Sequence, residues 1–251
     1  MPPIRKGDGT PVEPKGVSQI RTGDGRILFD GPAIPDTVGK QYFSTNQNYA
    51  DGEIADPFAD DTDDPVDLPA SGGPIFATND LNGNDAIILD GEDDTYSYNF
   101  SIAEPCTLIF AYRRDDTEEI QETVWYEDSN NFLRDQPDND QYQLQINDDN
   151  HFGGDSILGD VILTISFSKD AVDVFINGGD ANNDPQITST NLNEEQMILD
   201  SGTFYSEGGE SEFFTGATGG ITVHPDVKLT GSDRTQEEQR LESEFDMDVL
   251  S

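Results

Sequence analysis

The residues whose types and spacing could do chemistry are clustered carboxylates, an asparagine-rich loop and one tryptophan. Asp180-Ala181-Asn182-Asn183-Asp184 sets oxygen-bearing side chains at alternate positions, as in a loop that wraps calcium with several oxygens at about 2.3–2.6 Å. It lacks the later glycine and glutamate of an EF-hand. A chain with 52 acidic residues also forms such clusters by chance. Trp125, the sole tryptophan, is followed by Tyr126 and lies between Glu118-Glu119 and Glu127-Asp128. Sugars stack on exposed aromatic faces while Asp and Asn accept hydrogen bonds from their hydroxyls. Trp125 and Tyr126 are therefore the candidate glycan platform, set against the core position that aromatics more often take.

Catalytic constellations are scarce, and the expectation is a protein that is not an enzyme. Only His151 and His224 could serve as a histidine base or zinc ligands, and both read as surface or loop residues. Gly154-Asp155-Ser156-Ile157-Leu158 fails the nucleophile-elbow pattern at its last position. Neither Gly7-Asp8-Gly9 nor Gly23-Asp24-Gly25 continues into a phosphate-binding loop. No catalytic residue is assigned.

Charge bounds the partners. The chain of 251 residues carries 52 acidic and 13 basic side chains, a formal charge of −39. Such self-repulsion destabilises a compact state, and salt relieves it by shortening the Debye length to about 3 Å at 1 M. The composition thus points to a salt-adapted protein and disfavours nucleic acid or an anionic membrane as partner. Leu, Ile, Val and Phe make up 23% of the chain, above the roughly 20% below which disorder is expected. The lone Cys106 excludes an internal disulfide and reads as a buried small hydrophobe. No apolar run approaches the roughly 20 residues of a membrane helix, and the N-terminus reads as having no secretory signal.

The elements that must position these residues begin after a near-neutral arm. Residues 1–40 hold six basic and five acidic side chains, a net of +1, leaving −40 for residues 41–251. Within the arm, Ile4-Arg5-Lys6-Gly7-Asp8-Gly9 recurs as Ile20-Arg21-Thr22-Gly23-Asp24-Gly25. Each copy reads as a short strand entering an Asp-Gly turn, too little surface to fold alone. Residues 44–85 read as an acidic, loop-rich stretch. Strands are then expected at Ala86–Leu89, Tyr96–Phe100, Leu108–Tyr112, Val124–Tyr126 and the alternating Tyr142-Gln143-Leu144-Gln145-Ile146. Val161–Phe167 and Val172–Ile176 read as a hairpin, Asn177-Gly178 as the next turn and Ile221–His224 as a last strand. Asp233 with Gln236 resembles a capping box, opening a helix in which Leu241 and Phe245 face the body. The fold class is all-β: a two-sheet antiparallel jelly-roll sandwich with an N-terminal hairpin arm and a short C-terminal helix.

Leu81-Asn82-Gly83-Asn84-Asp85-Ala86-Ile87-Ile88-Leu89-Asp90-Gly91-Glu92-Asp93-Asp94 resembles the corresponding stretch of laminin-G-like, concanavalin A-like lectin domains. Similar too are Pro105–Phe110, the Val174–Gly178 hairpin, and Gly219-Gly220-Ile221-Thr222-Val223 leading to Arg234 and the Glu-rich helix. The resemblance covers roughly residues 42–250 and implies the jelly roll. It further implies calcium at the sandwich rim, with Asp90, Asp93 and Asp94 as ligands. Hydrolytic members of that superfamily carry a Glu-x-Asp-x-(x)-Glu strand. Here Glu92-Asp93-Asp94 runs into Thr95-Tyr96 without the second Glu. The arm is similar to short Ile-Arg repeats in structural proteins of tailed viruses of halophilic archaea.

These readings converge on a virion structural or adhesion protein of a halophilic virus: a tail fibre, baseplate or capsid decoration. Residues 1–40, with Ile4, Arg5, Ile20 and Arg21, would anchor it among other virion proteins as a homo-oligomer. The acidic domain would project into brine and contact host-surface glycans. It would be made in the host cytoplasm and reach the outside by lysis. The alternatives are a free carbohydrate-binding protein of a halophile and a glycan hydrolase.

Overall fold

A computed structural model describes residues 19–21, 27–30, 39–62, 65–115, 121–180, 182–190, 198–206 and 213–250. In the arm, β1 (Gln19–Arg21) pairs antiparallel with β2 (Ile27–Asp30), Ile20 opposite Phe29. Ile20 and Arg21 thus lie on a strand, while the first repeat copy, with Ile4 and Arg5, lies outside the described residues.

The strands that follow are β3 (Lys40–Phe43), β4 (Ala70–Ser71), β5 (Ile75–Leu81), β6 (Asn84–Asp90), β7 (Thr95–Ala103) and β8 (Cys106–Arg114). Next come β9 (Glu122–Asp128), β10 (Asn131–Gln136), β11 (Gln141–Ile146), β12 (Asp149–Gly153), β13 (Gly159–Ser168) and β14 (Ala171–Ile176). β15 (Ile187–Ser189), β16 (Ile198–Phe204), β17 (Thr215–His224) and one helix, α1 (Gly231–Glu244), complete the described elements. They form two antiparallel sheets. One runs β12-β11-β10-β9-β16-β7-β4; the other runs β15-β14-β13-β8-β17-β6-β5, with β3 also pairing β17. This is the expected two-sheet sandwich with a short C-terminal helix. The hairpin β13–β14 has Phe167 opposite Val172, and the chain turns again at Asn177-Gly178, both left-handed.

Strand alternation sorts the side chains. In β8, Leu108, Phe110 and Tyr112 enter the core between the sheets, while Ile109 and Ala111 point the other way. That second face is not solvent: Leu241 and Phe245 of α1 and its C-cap, with Leu229 and Met247, cover it. A strand buried on both faces is expected to be apolar throughout, and Cys106 to Tyr112 reads that way except for Thr107, whose hydroxyl donates to the Val227 carbonyl and accepts from Leu229 N–H. Gly219 is required where the helix end docks, since a Cβ there would stand 2.7 Å from the Phe245 ring and 2.8 Å from Leu81. Cys106 is buried as expected.

Three local expectations are corrected. Residues 75–81 form strand β5 within the stretch read as loop; Asn82-Gly83, both left-handed, closes its hairpin with β6. Its polar Thr78-Asn79-Asp80 hides the strand; β5 is the last strand of the 8-stranded sheet, and its pairing is irregular between Ala77 and Leu81. The helix starts at Gly231 behind Thr230, so Asp233 lies in the first turn rather than at the cap; there its charge still favours the helix dipole. His224 is fully buried, 3.5 Å from Glu237, instead of lying at the surface.

Candidate functional site

Trp125 is not a platform. Its side chain has 0% exposure, meets Phe167 edge-on at 5.3 Å and donates its indole N–H to the Tyr98 hydroxyl at 2.9 Å. The register explains why: Trp125 faces Leu133 on one side and Phe204 on the other, both core residues. Tyr126, one residue on, points outward beside Phe132 and Thr203 and is half-buried.

The candidate calcium loop is held by its own side chain. Asp180 Oδ1 accepts the N–H groups of Asn182 and Asp184 at 2.8 and 3.0 Å, and these bonds hold its carboxyl below the usual range. Asn182 and Asp184 are exposed. At the β6–β7 turn the carboxylate oxygens of Asp90, Asp93 and Asp94 lie within 4.8 Å of one another. Glu92-Asp93 sits in this turn, as expected. Asp94 is buried, and its two oxygens accept from Gly73 and Asp90 at 2.7 and 2.9 Å. Burial raises its proton affinity, those bonds lower it, and the neighbouring Asp90 and Asp93 charges raise it again. The trio thus offers converging oxygens, while Asp94 also staples the turn.

The sheet face that α1 leaves uncovered is the one sequence reasoning missed. Following the register outward from Leu133, the exterior positions of β10 are Phe132, Arg134 and Gln136, opposite Tyr126 and Thr123 in β9. In β11 they are Gln141, Gln143 and Gln145, and in β12 Asn150 and Phe152. None of these carries a negative charge, in a chain of net −39. The amides form one network. Gln143 accepts from Arg134 Nε at 2.8 Å and from Gln136, and donates to Asn150. Gln141 donates to Gln136 at 3.3 Å, and Gln145 to the Ser129 carbonyl at 2.7 Å. The Arg134 guanidinium lies 4.7 Å over the Phe132 ring, and Phe152 is 51% exposed. A carboxylate only accepts hydrogen bonds, whereas an amide donates and accepts, as a sugar hydroxyl does. Gln136, Gln143 and Phe132 are each only 5% exposed, so what the network presents to a ligand is the half-buried Arg134, Gln141 and Gln145 with the exposed Asn150 and Phe152, a surface suited to hydroxyl-rich ligands. The signal was in the sequence: every outward residue of the Gln141–Ile146 alternation is a glutamine.

A second polar cluster lies inside the sandwich. Arg114 of β8 reaches across to the other sheet, 2.5 Å from Glu122 and 3.4 Å from Asp135, and donates to Ser156 at 3.0 Å. Beside it the hydroxyls of Tyr112 and Tyr142 meet at 3.0 Å, again sheet to sheet. Burial pushes Glu122 up to about 7 and Asp135 up to about 6, against the pull of Arg114. Such values suit acid–base work, yet each residue is only 1% exposed. The pair is closed to a glycan chain.

No protein-family model matches the sequence, and no curated protein matches it. Solved structures do share the fold. Domain 4 of an extracellular GH43 arabinanase from Geobacillus stearothermophilus, in complex with arabinotriose, is 14% identical, with a TM-score of 0.60 over 81% of this chain and 98% of that one. Trypanosoma rangeli sialidase with sialic acid is 8% identical, with a TM-score of 0.59 over 92% of this chain. A structure concerned with botulinum neurotoxin type C and two ganglioside molecules is 9% identical, with a TM-score of 0.56 over 82%. This chain spans 36% of that sialidase chain and 51% of that toxin chain. The class defined is a two-sheet antiparallel β-sandwich. Among the described residues, no helix is long and apolar enough to cross a membrane.

Proposed function

We propose that this chain is a non-catalytic carbohydrate-binding sandwich that holds neutral, hydroxyl-rich glycans on the outward face of β9–β12. The observation that carries the reading is the carboxylate-free amide network in which the buried Gln143 orients Arg134 and the exposed Asn150 beside the exposed Phe152. The arabinotriose-bound domain with the same fold, matched over 98% of its length, supports a neutral saccharide as ligand. Calorimetric titration with neutral and acidic oligosaccharides tests it. Neutral sugars should bind, Phe152→Ala should weaken binding at least about tenfold, and Gln143→Glu should do the same by removing the donor that holds the exposed Asn150 in place. Binding that survives both substitutions, or none to any neutral sugar, refutes the reading.

The laminin-G-like resemblance, the charge break at residue 40 and the repeated Ile-Arg-x-Gly-Asp-Gly support a finer proposal. The domain projects from a halophilic virion, with residues 1–40 seated among other virion proteins. Locating the chain in purified particles by mass spectrometry and imaging tests this. A free lectin would instead keep its oligomeric state on deletion of residues 1–40, and a hydrolase would release reducing sugar in molar salt. For Asp90, Asp93 and Asp94 we propose calcium as counter-charge, on the convergence of their oxygens.

A further inference from the structure

Two amides of the outward face are held in one orientation each, because the groups that grip them have a single hydrogen-bonding sense. Arg134 Nε only donates, so the Gln143 atom 2.8 Å from it is the oxygen. Gln136 donates to that same oxygen. The Gln143 nitrogen therefore points the other way and donates to Asn150 Oδ1. Asn150 is exposed. Its oxygen is taken, and among the described residues its Nδ2 has no partner. Gln145 is fixed in the opposite sense. The Ser129 carbonyl only accepts, so the Gln145 atom at 2.7 Å is the nitrogen. Among the described residues its Oε1 has no donor.

Asn150 of β12 and Gln145 of β11 are direct cross-strand partners, a placement that sets Cβ atoms about 4.5–5.5 Å apart. Phe152 follows two residues along β12, on the same face and 51% exposed. A lone donor beside a lone acceptor suits a group that does both, which a hydroxyl does. An ether oxygen or a carboxylate only accepts and leaves the Gln145 oxygen unpaired. Given the carbohydrate reading, on which this rests, we propose that Asn150 Nδ2 and Gln145 Oε1 hold one sugar hydroxyl between them, with the apolar face of that ring on Phe152. They are the residues that select a hydroxyl over a carboxylate. Arg134 and Gln143 act through Asn150 as positioning residues, and the one-way chain of donors strengthens its N–H.

The test is calorimetric titration of the full chain with arabinotriose, cellotriose and maltotriose, in wild type, Asn150→Asp, Gln145→Met and the double variant. Asn150→Asp keeps the oxygen that Gln143 grips and removes the donor; Gln145→Met keeps the length and removes the acceptor. Wild type should bind at least one of the three sugars, and each single variant should lose about five- to tenfold. The double variant should lose less than the product of the two, since both side chains hold one hydroxyl. Unchanged affinity in either single variant, or losses that multiply, overturns the proposal and leaves the carbohydrate reading standing. No binding in wild type removes both. Side-chain nitrogen NMR gives a reading that a structural role would not move: the Asn150 NH2 signals should shift when sugar is added, and signals that stay in place overturn the assignment.

Discussion

Replacing Trp125 by alanine decides between a core strut and a sugar platform. The indole is wholly buried, packed on Phe167 and bonded to Tyr98. Removing a buried tryptophan costs about 3–5 kcal/mol, the transfer term plus the cavity left behind. For a domain near this size each kcal/mol lowers Tm by about 2–4 °C, so the variant should melt about 6–20 °C lower. Trp125→Phe keeps most of the apolar volume but leaves the Tyr98 hydroxyl without its donor, costing about 1–3 kcal/mol. Calorimetry reads both. Because Trp125 is the only tryptophan, intrinsic fluorescence gives an independent check: its emission should be blue-shifted, resist soluble quenchers and stay fixed when saccharide is added. A Trp125→Ala protein with wild-type Tm and abolished sugar binding would refute the argument, as would emission that is red and moves with ligand.

The buried carboxylates predict a pH dependence. Glu122 and Asp135 have folded-state values raised by burial to about 7 and about 6, so the folded protein holds their protons more tightly than the unfolded chain. Stability from this pair should therefore fall as pH rises from about 4 to about 7 and level off above; Glu122→Gln should flatten the slope in urea titrations across the upper part of that window. Arg114→Met leaves Glu122 without its counter-ion and should cost about 3–5 kcal/mol at pH 8, most of it regained in the Arg114→Met/Glu122→Gln double variant. Gly219→Ala should cost about 1–3 kcal/mol in calorimetry, since the new methyl meets Phe245 and Leu81. If the rim trio holds calcium, chelation should lower the Tm of wild type and leave an Asp90→Asn/Asp93→Asn variant unchanged.

Much of the sandwich was legible because its strands alternate or run apolar over several residues. The β13–β14 hairpin, the Asn177-Gly178 turn and the docking of Leu241 and Phe245 all follow from local pattern. Trp125 escaped that logic. Irregular pairing of β9 with β10 buries Val124 and Trp125 in succession, so alternation could not say which face the indole takes. β5 was hidden by its polar Thr78-Asn79-Asp80, where its pairing with β6 is irregular. The burial of His224 depends on Glu237, which only the helix brings near. The amide face was half visible: the glutamines of β11 stand in one run, but Arg134, Asn150 and Phe152 join them only through pairing across three strands.

The bridge of Arg114 to Glu122, with Tyr112 to Tyr142 beside it, has a mechanical consequence. Oily sheets packed through aliphatic side chains alone can slide over one another at little cost, because dispersion has no direction. Hydrogen bonds do have direction, and these two tie β8 of one sheet to β9 and β11 of the other. They act as dowels through two boards, locking the stack in one alignment. The outward surface of β9–β11 is thereby referenced to the helix-backed sheet, and the spacing of its side chains is fixed by that alignment.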